Sequence, residues 1–488
     1  MSSNVVKNSQ PIGLMLDGRT VTGEGRSSRD VINPATSEGV SSLTMARESD
    51  LHEAAEKSVH GFKEWSRQTP LARAQILKAV ASAIRRDREI FAAAITREQG
   101  KTLADSRMEV ASSADLFEWL AEEGKRVYGR VVASRSASVQ QLVLMEPIGP
   151  VAAFSPWNFP LAQASRKIAH ALAAGCSIVL KPAEEAPSAP LHLAALCIEC
   201  GVPASAVQVV YGDPAMVSKA LISSPHIRKI SFTGSIPVGR MLSALAGEHL
   251  KKATLELGGN SPVIVMNDID VDQVARLAIQ SKFRNAGQIC VAPSRFFVHD
   301  AIFDRFTSRF AELAASLRVG DGDQDATEMG PLAHARRIKA MEDLTQDAVT
   351  KGAKVLTGGA ERMSRRGFFW SPTVLADVPA DARILEEETF GPVAPFTRFD
   401  NLEAVLDRAN EVEHGLAGYA FTKSLHSVRL IQDRLKAGAI GINTFAAAAP
   451  EMPFTGIKNS GLGVIQGTEG LAAHMNIKSS FVADPDAS

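Results

Sequence analysis

Residues 151–181 read VAAFSPWNFPLAQASRKIAHALAAGCSIVLK, and this stretch decides the fold. Val151 to Phe154 is a short apolar run of the kind that forms a buried strand. Positions 161 to 174 carry apolar residues at helical spacing, and Ser177 to Leu180 is a second apolar run. Strand, helix and strand joined by short turns make a βαβ unit, whose two strands lie parallel. Outward from it the pattern repeats. Gln141 to Met145, Val207 to Val210 and Lys229 to Phe232 read as strands, with helices near 188–199, 214–222 and 236–247 between most of them.

A second alternating set follows. Strands are expected at Pro262 to Met266, Ser294 to Val298, Lys354 to Thr357, Phe369 to Val374, Val393 to Phe399 and Gly438 to Asn443, separated by helices near 270–284, 301–317, 335–351, 401–411 and 424–436. The fold class is therefore α/β, with two doubly wound parallel-sheet domains that meet near Gly258-Gly259. Residues 50 to 128 are helical in period and precede both. The strand-like Ile477 to Val482 near the chain end lacks local partners, so it pairs elsewhere in the fold or with another subunit.

A chain of 488 residues exceeds one compact core and divides into domains. Charges nearly cancel, at 53 Lys and Arg against 54 Asp and Glu, so no basic field points to nucleic acid or an anionic membrane. Met1 to Gln10 is polar, and no run approaches the ~18 apolar residues of a membrane span, so a cytoplasmic location is expected. Four cysteines are too few for a disulfide framework and suit a reducing compartment. Cys197 and Cys200 form a C-x-x-C within an apolar helical pattern, which reads as helix packing, and no metal site is expected.

The candidate chemistry begins at Phe283-Arg284-Asn285-Ala286-Gly287-Gln288-Ile289-Cys290, a polar, glycine-containing turn that presents one thiol. A thiolate attacking a carbonyl needs an oxyanion donor and, afterwards, a base to activate water; Asn158 and Glu256 can supply them. Asn158 lies between Pro156 and Pro160 on a stiffened loop, although alone it reads as a turn asparagine. Gly234 and Ser235 follow a predicted strand and open a predicted helix. On spacing alone that is equally a plain strand-to-helix turn or a dinucleotide site. Lys181 and Glu184 close another strand, either as a ribose site or as a solvated ion pair.

Taken in order, Pro156-Trp157-Asn158-Phe159-Pro160, Lys181-Pro182-Ala183-Glu184, Phe232-Thr233-Gly234-Ser235, Glu256-Leu257-Gly258-Gly259, Asn285-Ala286-Gly287-Gln288-x-Cys290, Glu388-x-Phe390-Gly391-Pro392 and Pro453-Phe454 resemble the aldehyde dehydrogenase superfamily from about residue 30 to residue 480. The resemblance implies an NAD(P)-binding domain at 1–127 and 147–258, a catalytic domain at 259–460, and a bridging or oligomerisation element at 128–146 and 475–488 that builds a homodimer or homotetramer. It implies that Cys290 attacks the aldehyde, that Asn158 stabilises the oxyanion, and that Glu256 activates water to hydrolyse a thioester. Trp157, Lys181, Glu184, Gly234, Ser235, Glu388 and Phe390 would contact the cofactor. Glu184 leans it towards NAD, with NADP possible.

Arg166 and Arg284 match positions that succinate-semialdehyde dehydrogenases use for the distal carboxylate of their substrate, so a carboxylate-bearing semialdehyde is the implied aldehyde. The chain departs from that subgroup in Ala446 to Ala449, where serines are usual. Pro450-Glu451-Met452-Pro453-Phe454 resembles 2-oxoglutarate-semialdehyde dehydrogenases instead. Thr455 replaces a usual glycine, and Val291 and Ala292 leave no second cysteine beside the nucleophile. An uncharged aldehyde, and a catalytically silent nucleotide-binding or structural protein, are the competing readings.

Overall fold

The computed structural model describes residues 11–485 apart from 24, 360–362 and 364–365, so Met1 to Gln10 and the last three residues of 475–488 lie outside it. The first of two large sheets has five parallel strands at its centre, in the order Lys252–Glu256, Lys229–Thr233, Val151–Phe154, Ile178–Lys181 and Val207–Val209. The chain runs outward from Val151–Phe154 in one direction and then crosses to Lys229–Thr233 on its other side. The crevice between those two strands is a topological switch point, where open α/β sheets bind ligands at the carboxyl edge.

The βαβ unit at 151–181 forms as read. Pro160 starts its helix, Pro160–Ala174, at a position that needs no amide donor, and Gly175 ends it in the left-handed conformation at φ 89°. The second sheet runs Lys354–Thr357, Thr373–Ala376, Val393–Phe399, Pro293–His299, Ser261–Val265, Ala417–Phe421 and Ala439–Ile442, parallel except for the first pair. Helices cover the sheets, and the fold is α/β with parallel sheets and small additional strands.

Several strands carry no clear signal in the sequence. Lys252–Glu256 begins and ends on a charge, and Ala417–Phe421 is rich in small residues, yet both lie inside sheets. Leu14–Leu16 and Arg19–Val21 extend the first sheet antiparallel. The strand expected at Phe369 to Val374 instead spans Thr373–Ala376, because Pro372 has no amide to give the ladder and pairing starts after it. Arg130–Val132, Val139–Pro147 and Met475–Ala483 form a separate antiparallel sheet, with the last two paired from Met475↔Pro147 to Ala483↔Val139. Val131, Ile477 and Phe481 stand exposed on it.

Candidate active site

Four parallel strands of the first sheet deliver predicted residues at their carboxyl ends. Asn158 follows Val151–Phe154, Lys181 ends Ile178–Lys181, Gly234 and Ser235 follow Lys229–Thr233, and Glu256 ends Lys252–Glu256. Asn158 is buried and lines the cavity beside Cys290; its amide nitrogen donates to the Gln288 carbonyl at 3.0 Å and carries a second N–H for which no protein acceptor is seen among the described residues. The loop before Cys290 bends back through three consecutive left-handed residues, Asn285 (φ 48°), Ala286 (φ 52°) and Gly287 (φ 72°). A side chain at Gly287 would run into the Gly391 carbonyl, and one at Gly258 into the Glu388 carboxylate. Backbone strain at non-glycine residues such as Ala286 persists only where the surroundings enforce it.

The Cys290 thiol donates to Glu256 Oε1 at 3.2 Å, and Thr233 Oγ1 donates to Glu256 Oε2 at 3.1 Å. Burial first, and then the Glu256 charge, push the thiol well above its ordinary range, while Arg166 opposes them. The resting sulfur is therefore protonated, with its S–H held against the Glu256 carboxylate. Arg166 Nη1 lies 3.8 Å from Glu256 Oε2, and its guanidinium lies 5.6 Å from the centre of the Phe454 ring.

Trp157, Asn158, Gly234, Ser235, Cys290, Glu388 and Phe390 line one cavity of about 270 Å³. Sequence reading missed His334 and Arg337 on its wall. Trp157 packs edge-on against His334 and Phe390, with centroids 5.1 and 5.5 Å away. Arg337 donates to the Thr389 carbonyl at 2.5 Å and sits 5.7 Å from the Phe390 ring centre. Glu388 Oε1 accepts the Gly259 N–H at 3.2 Å, and burial raises its carboxyl to about 7. These residues fit a dinucleotide. The helix Ile236–Glu248 has neither a side-chain cap nor an acidic residue in its first turn, so its amides are free for an anion.

Lys181 and Glu184 form a buried ion pair at 2.5 Å, at the end of the strand beside Val151–Phe154. Arg29 comes within 3.9 Å of Glu184 and 3.3 Å of Glu185, and Arg336 lies 3.2 Å from Glu185. Arg284 is placed differently from Arg166: its Nε donates to Asp105 at 3.1 Å, and the group lies 5.7 Å from the Phe159 ring centre. The Thr455 hydroxyl donates to the Gly463 carbonyl at 2.8 Å, tying the Phe454 loop to the segment that returns to the first sheet.

Sequence reading also missed a buried group behind the site. Lys101 pairs with Glu109 and donates to the Asn158 carbonyl, while Lys167 is buried within electrostatic reach of Glu256, and His170 and His474 are buried with ring centroids 6.0 Å apart. All four cysteines are free, Cys197 and Cys200 included. The described residues contain no group of three or more His, Cys, Asp or Glu able to hold a metal, and no helix long and apolar enough to cross a membrane.

Residues 21–480 match the model of the aldehyde dehydrogenase family. The chain is 45% identical over 465 residues to a 4-(hydroxymethyl)benzenesulfonate dehydrogenase of Comamonas testosteroni, covering 95% of this chain and 97% of that protein. It is 39% identical over 464 residues to the NADP-dependent succinate-semialdehyde dehydrogenase of Escherichia coli, covering 95% and 96%. The crystal structure of a succinate-semialdehyde dehydrogenase from Burkholderia pseudomallei superposes with a TM-score of 0.94 at 39% identity, over 97% of this chain and 98% of that one. The chain belongs to the aldehyde dehydrogenase family and is an NAD(P)-dependent oxidoreductase.

Proposed function

We propose that the enzyme oxidises an aldehyde carrying a distal anionic group, with a carboxylate semialdehyde such as succinate semialdehyde as the leading substrate. The observation that carries the chemistry is the Cys290–Glu256 hydrogen bond of 3.2 Å, made in the cavity that Asn158 also lines. As the sulfur adds to the aldehyde carbon to form a C–S bond, the thiol proton passes to solvent and Glu256 stays ionised beside the adduct. The free Asn158 N–H meets the oxyanion. NAD(P) bound in the cavity would supply the hydride acceptor, and loss of hydride from the adduct carbon would leave a thioester on Cys290. Glu256 then removes a proton from water as its oxygen attacks the acyl carbon, the C–S bond breaks, and the acid departs.

Trp157, Gly234, Ser235, Glu388 and Phe390 hold the nicotinamide half of the cofactor, while Lys181 and Glu184 meet the adenosine ribose. A carboxylate at Glu184 favours NAD, and the cations around it leave NADP possible. The small three-stranded sheet, with exposed Ile477 and Phe481, is the surface through which a homodimer or homotetramer assembles. A cytoplasmic setting suits four free thiols.

Arg166 supports the anionic substrate. It is partly buried, it has only a long 3.8 Å approach to Glu256 as an ion pair, and it is available to a carboxylate. Arg284 joins it if substrate draws it from Asp105. The likeness to a 4-(hydroxymethyl)benzenesulfonate dehydrogenase favours a second reading, a sulfonate in place of the carboxylate, since a guanidinium donates to either group. Steady-state comparison of succinate semialdehyde, 4-sulfobenzaldehyde, 2-oxoglutarate semialdehyde and butanal tests both. Arg166→Ala also removes the cation beside Glu256, which affects every aldehyde; loss of one charge-assisted hydrogen bond, about 1.5–3 kcal/mol, predicts that kcat/KM for anionic aldehydes falls roughly 10- to 150-fold further than for butanal. Equal losses for charged and uncharged aldehydes would end the argument from Arg166.

A further inference from the structure

We infer that one face of the helix Leu103–Glu123, with Lys101 just before it, holds the Asn158 loop and the Cys290 loop in catalytic register, making Lys101, Asp105 and Glu109 positioning residues. The inference rests on the reading of Asn158 as the oxyanion donor. The three residues are spaced four apart, and Thr102 caps the helix by accepting the Asp105 N–H at 3.1 Å, so Asp105 and Glu109 project from the same face.

The Lys101–Glu109 pair grips the chain at Asn158 and again three and four residues later. Lys101 Nζ donates to Glu109 Oε2 at 2.6 Å and to the Asn158 carbonyl at 2.7 Å, and it lies 3.8 Å from the centre of the Phe159 ring. Glu109 Oε1 accepts the N–H groups of Leu161 and Ala162, at 2.9 and 3.0 Å, in the first turn of the next helix. Both side chains are wholly buried. Asp105, one turn away, takes the other loop: it accepts from Arg284 Nε at 3.1 Å and from the Asn285 N–H at 3.3 Å. Asn285 Nδ2 closes the circuit by donating to the Asn158 carbonyl at 3.0 Å.

A buried ion pair is weak evidence for stability, because apolar residues of similar size often serve as well. What the pair supplies here is direction. It fixes the carbonyl of Asn158 itself and the amides of the helical turn that follows, and an oxyanion donor displaced by an ångström loses much of its effect.

The test compares Lys101→Met/Glu109→Leu, which removes both charges together, with Asn158→Ala and with the triple variant. Single-turnover NADH formation, aldehyde KM, the isotope effect with 1-deuterated aldehyde, iodoacetamide labelling of Cys290 and NAD binding are measured in each. The double variant is expected to bind NAD and label as the parent does, with KM within about threefold. Its NADH burst is expected to slow 10- to 100-fold with a larger isotope effect, and adding Asn158→Ala is expected to slow it little further. A folded double variant with a parental burst beside a slow Asn158→Ala would overturn the positioning role alone. A parental burst in Asn158→Ala would overturn the reading of Asn158 and this inference with it. If the double variant does not fold, Glu109→Gln, which keeps an acceptor for Leu161 and Ala162, takes its place. A parental burst and isotope effect in Glu109→Gln would overturn the role, and a slow burst with parental labelling would support it.

Discussion

Replacing Glu256 by Gln separates the two halves of the proposed reaction. Glu256 is 2% exposed, and its two oxygens serve the Cys290 thiol at 3.2 Å and the Thr233 hydroxyl at 3.1 Å. Glutamine keeps the shape and an acceptor for Thr233 but cannot take a proton from water. Glu388, which lines the cavity, is tied to the Gly259 amide at 3.2 Å and has no contact with the Cys290 thiol of the kind Glu256 makes. A positioned general base contributes roughly 10²- to 10⁴-fold, so steady-state turnover is expected to fall by that factor, about 2.7–5.4 kcal/mol of barrier. Hydride release precedes hydrolysis, so stopped-flow absorbance should show a burst of close to one NADH per Cys290 before the slow phase. The thiol responds in the opposite sense. With the Glu256 charge gone its pKa falls, and iodoacetamide should label Cys290 faster than in the parent. Parental turnover, or slow turnover with no burst and slower labelling, would refute the assignment of Glu256 as hydrolytic base.

Three further outcomes follow from the same geometry. Glu184→Gln removes a carboxylate from the proposed ribose site while Lys181 and Arg29 remain; kcat/KM for NADP should rise about tenfold, the roughly 1.4 kcal/mol expected of one relieved like-charge contact, and no gain would place the ribose elsewhere. Lys282 is wholly buried, its Nζ has no hydrogen-bond partner among the described residues, and burial lowers its pKa to about 7, so Lys282→Met should raise stability by about 2 kcal/mol, read from the denaturant midpoint. His170 is held neutral by burial, with a pKa of about 4 against an ordinary 6.5. The unfolded chain therefore binds the proton first as pH falls. Stability is full above pH 6.5 and is lost towards pH 4 by up to about 3 kcal/mol from this group, and His170→Leu should flatten the melting-temperature profile across that window.

What the sequence reveals follows from where the signal resides. Apolar runs bounded by glycine and proline locate the βαβ unit at 151–181 because a buried parallel strand must be apolar along its length. Lys252–Glu256 escapes notice because it begins and ends on a charge, Lys252 bonded to the Met475 carbonyl and Glu256 to the Cys290 thiol. Cys290, Asn158 and Glu256 are legible through ordered motifs, and the structure places all three within one site. Lys101, Asp105 and Glu109 are not, since a charged residue in a helical pattern normally faces water, and only the fold shows these turned inward. Arg284 shows the reverse limit. Its place in the Cys290 segment suggests a substrate contact, whereas its recorded partner is Asp105. Ser155 to Pro160 would pass for an ordinary turn if Gln288 and Lys101 did not reach it from distant parts of the chain.

The central claim is a thioester on Cys290, and intact-protein mass spectrometry of Glu256→Gln, acid-quenched after one turnover with NAD and succinate semialdehyde, tests it most directly. A mass gain equal to the succinyl group, mapped by peptide digestion to Cys290 and absent from Cys290→Ala, is the predicted result. NADH formed with no adduct, or an adduct on any other residue, would contradict the account.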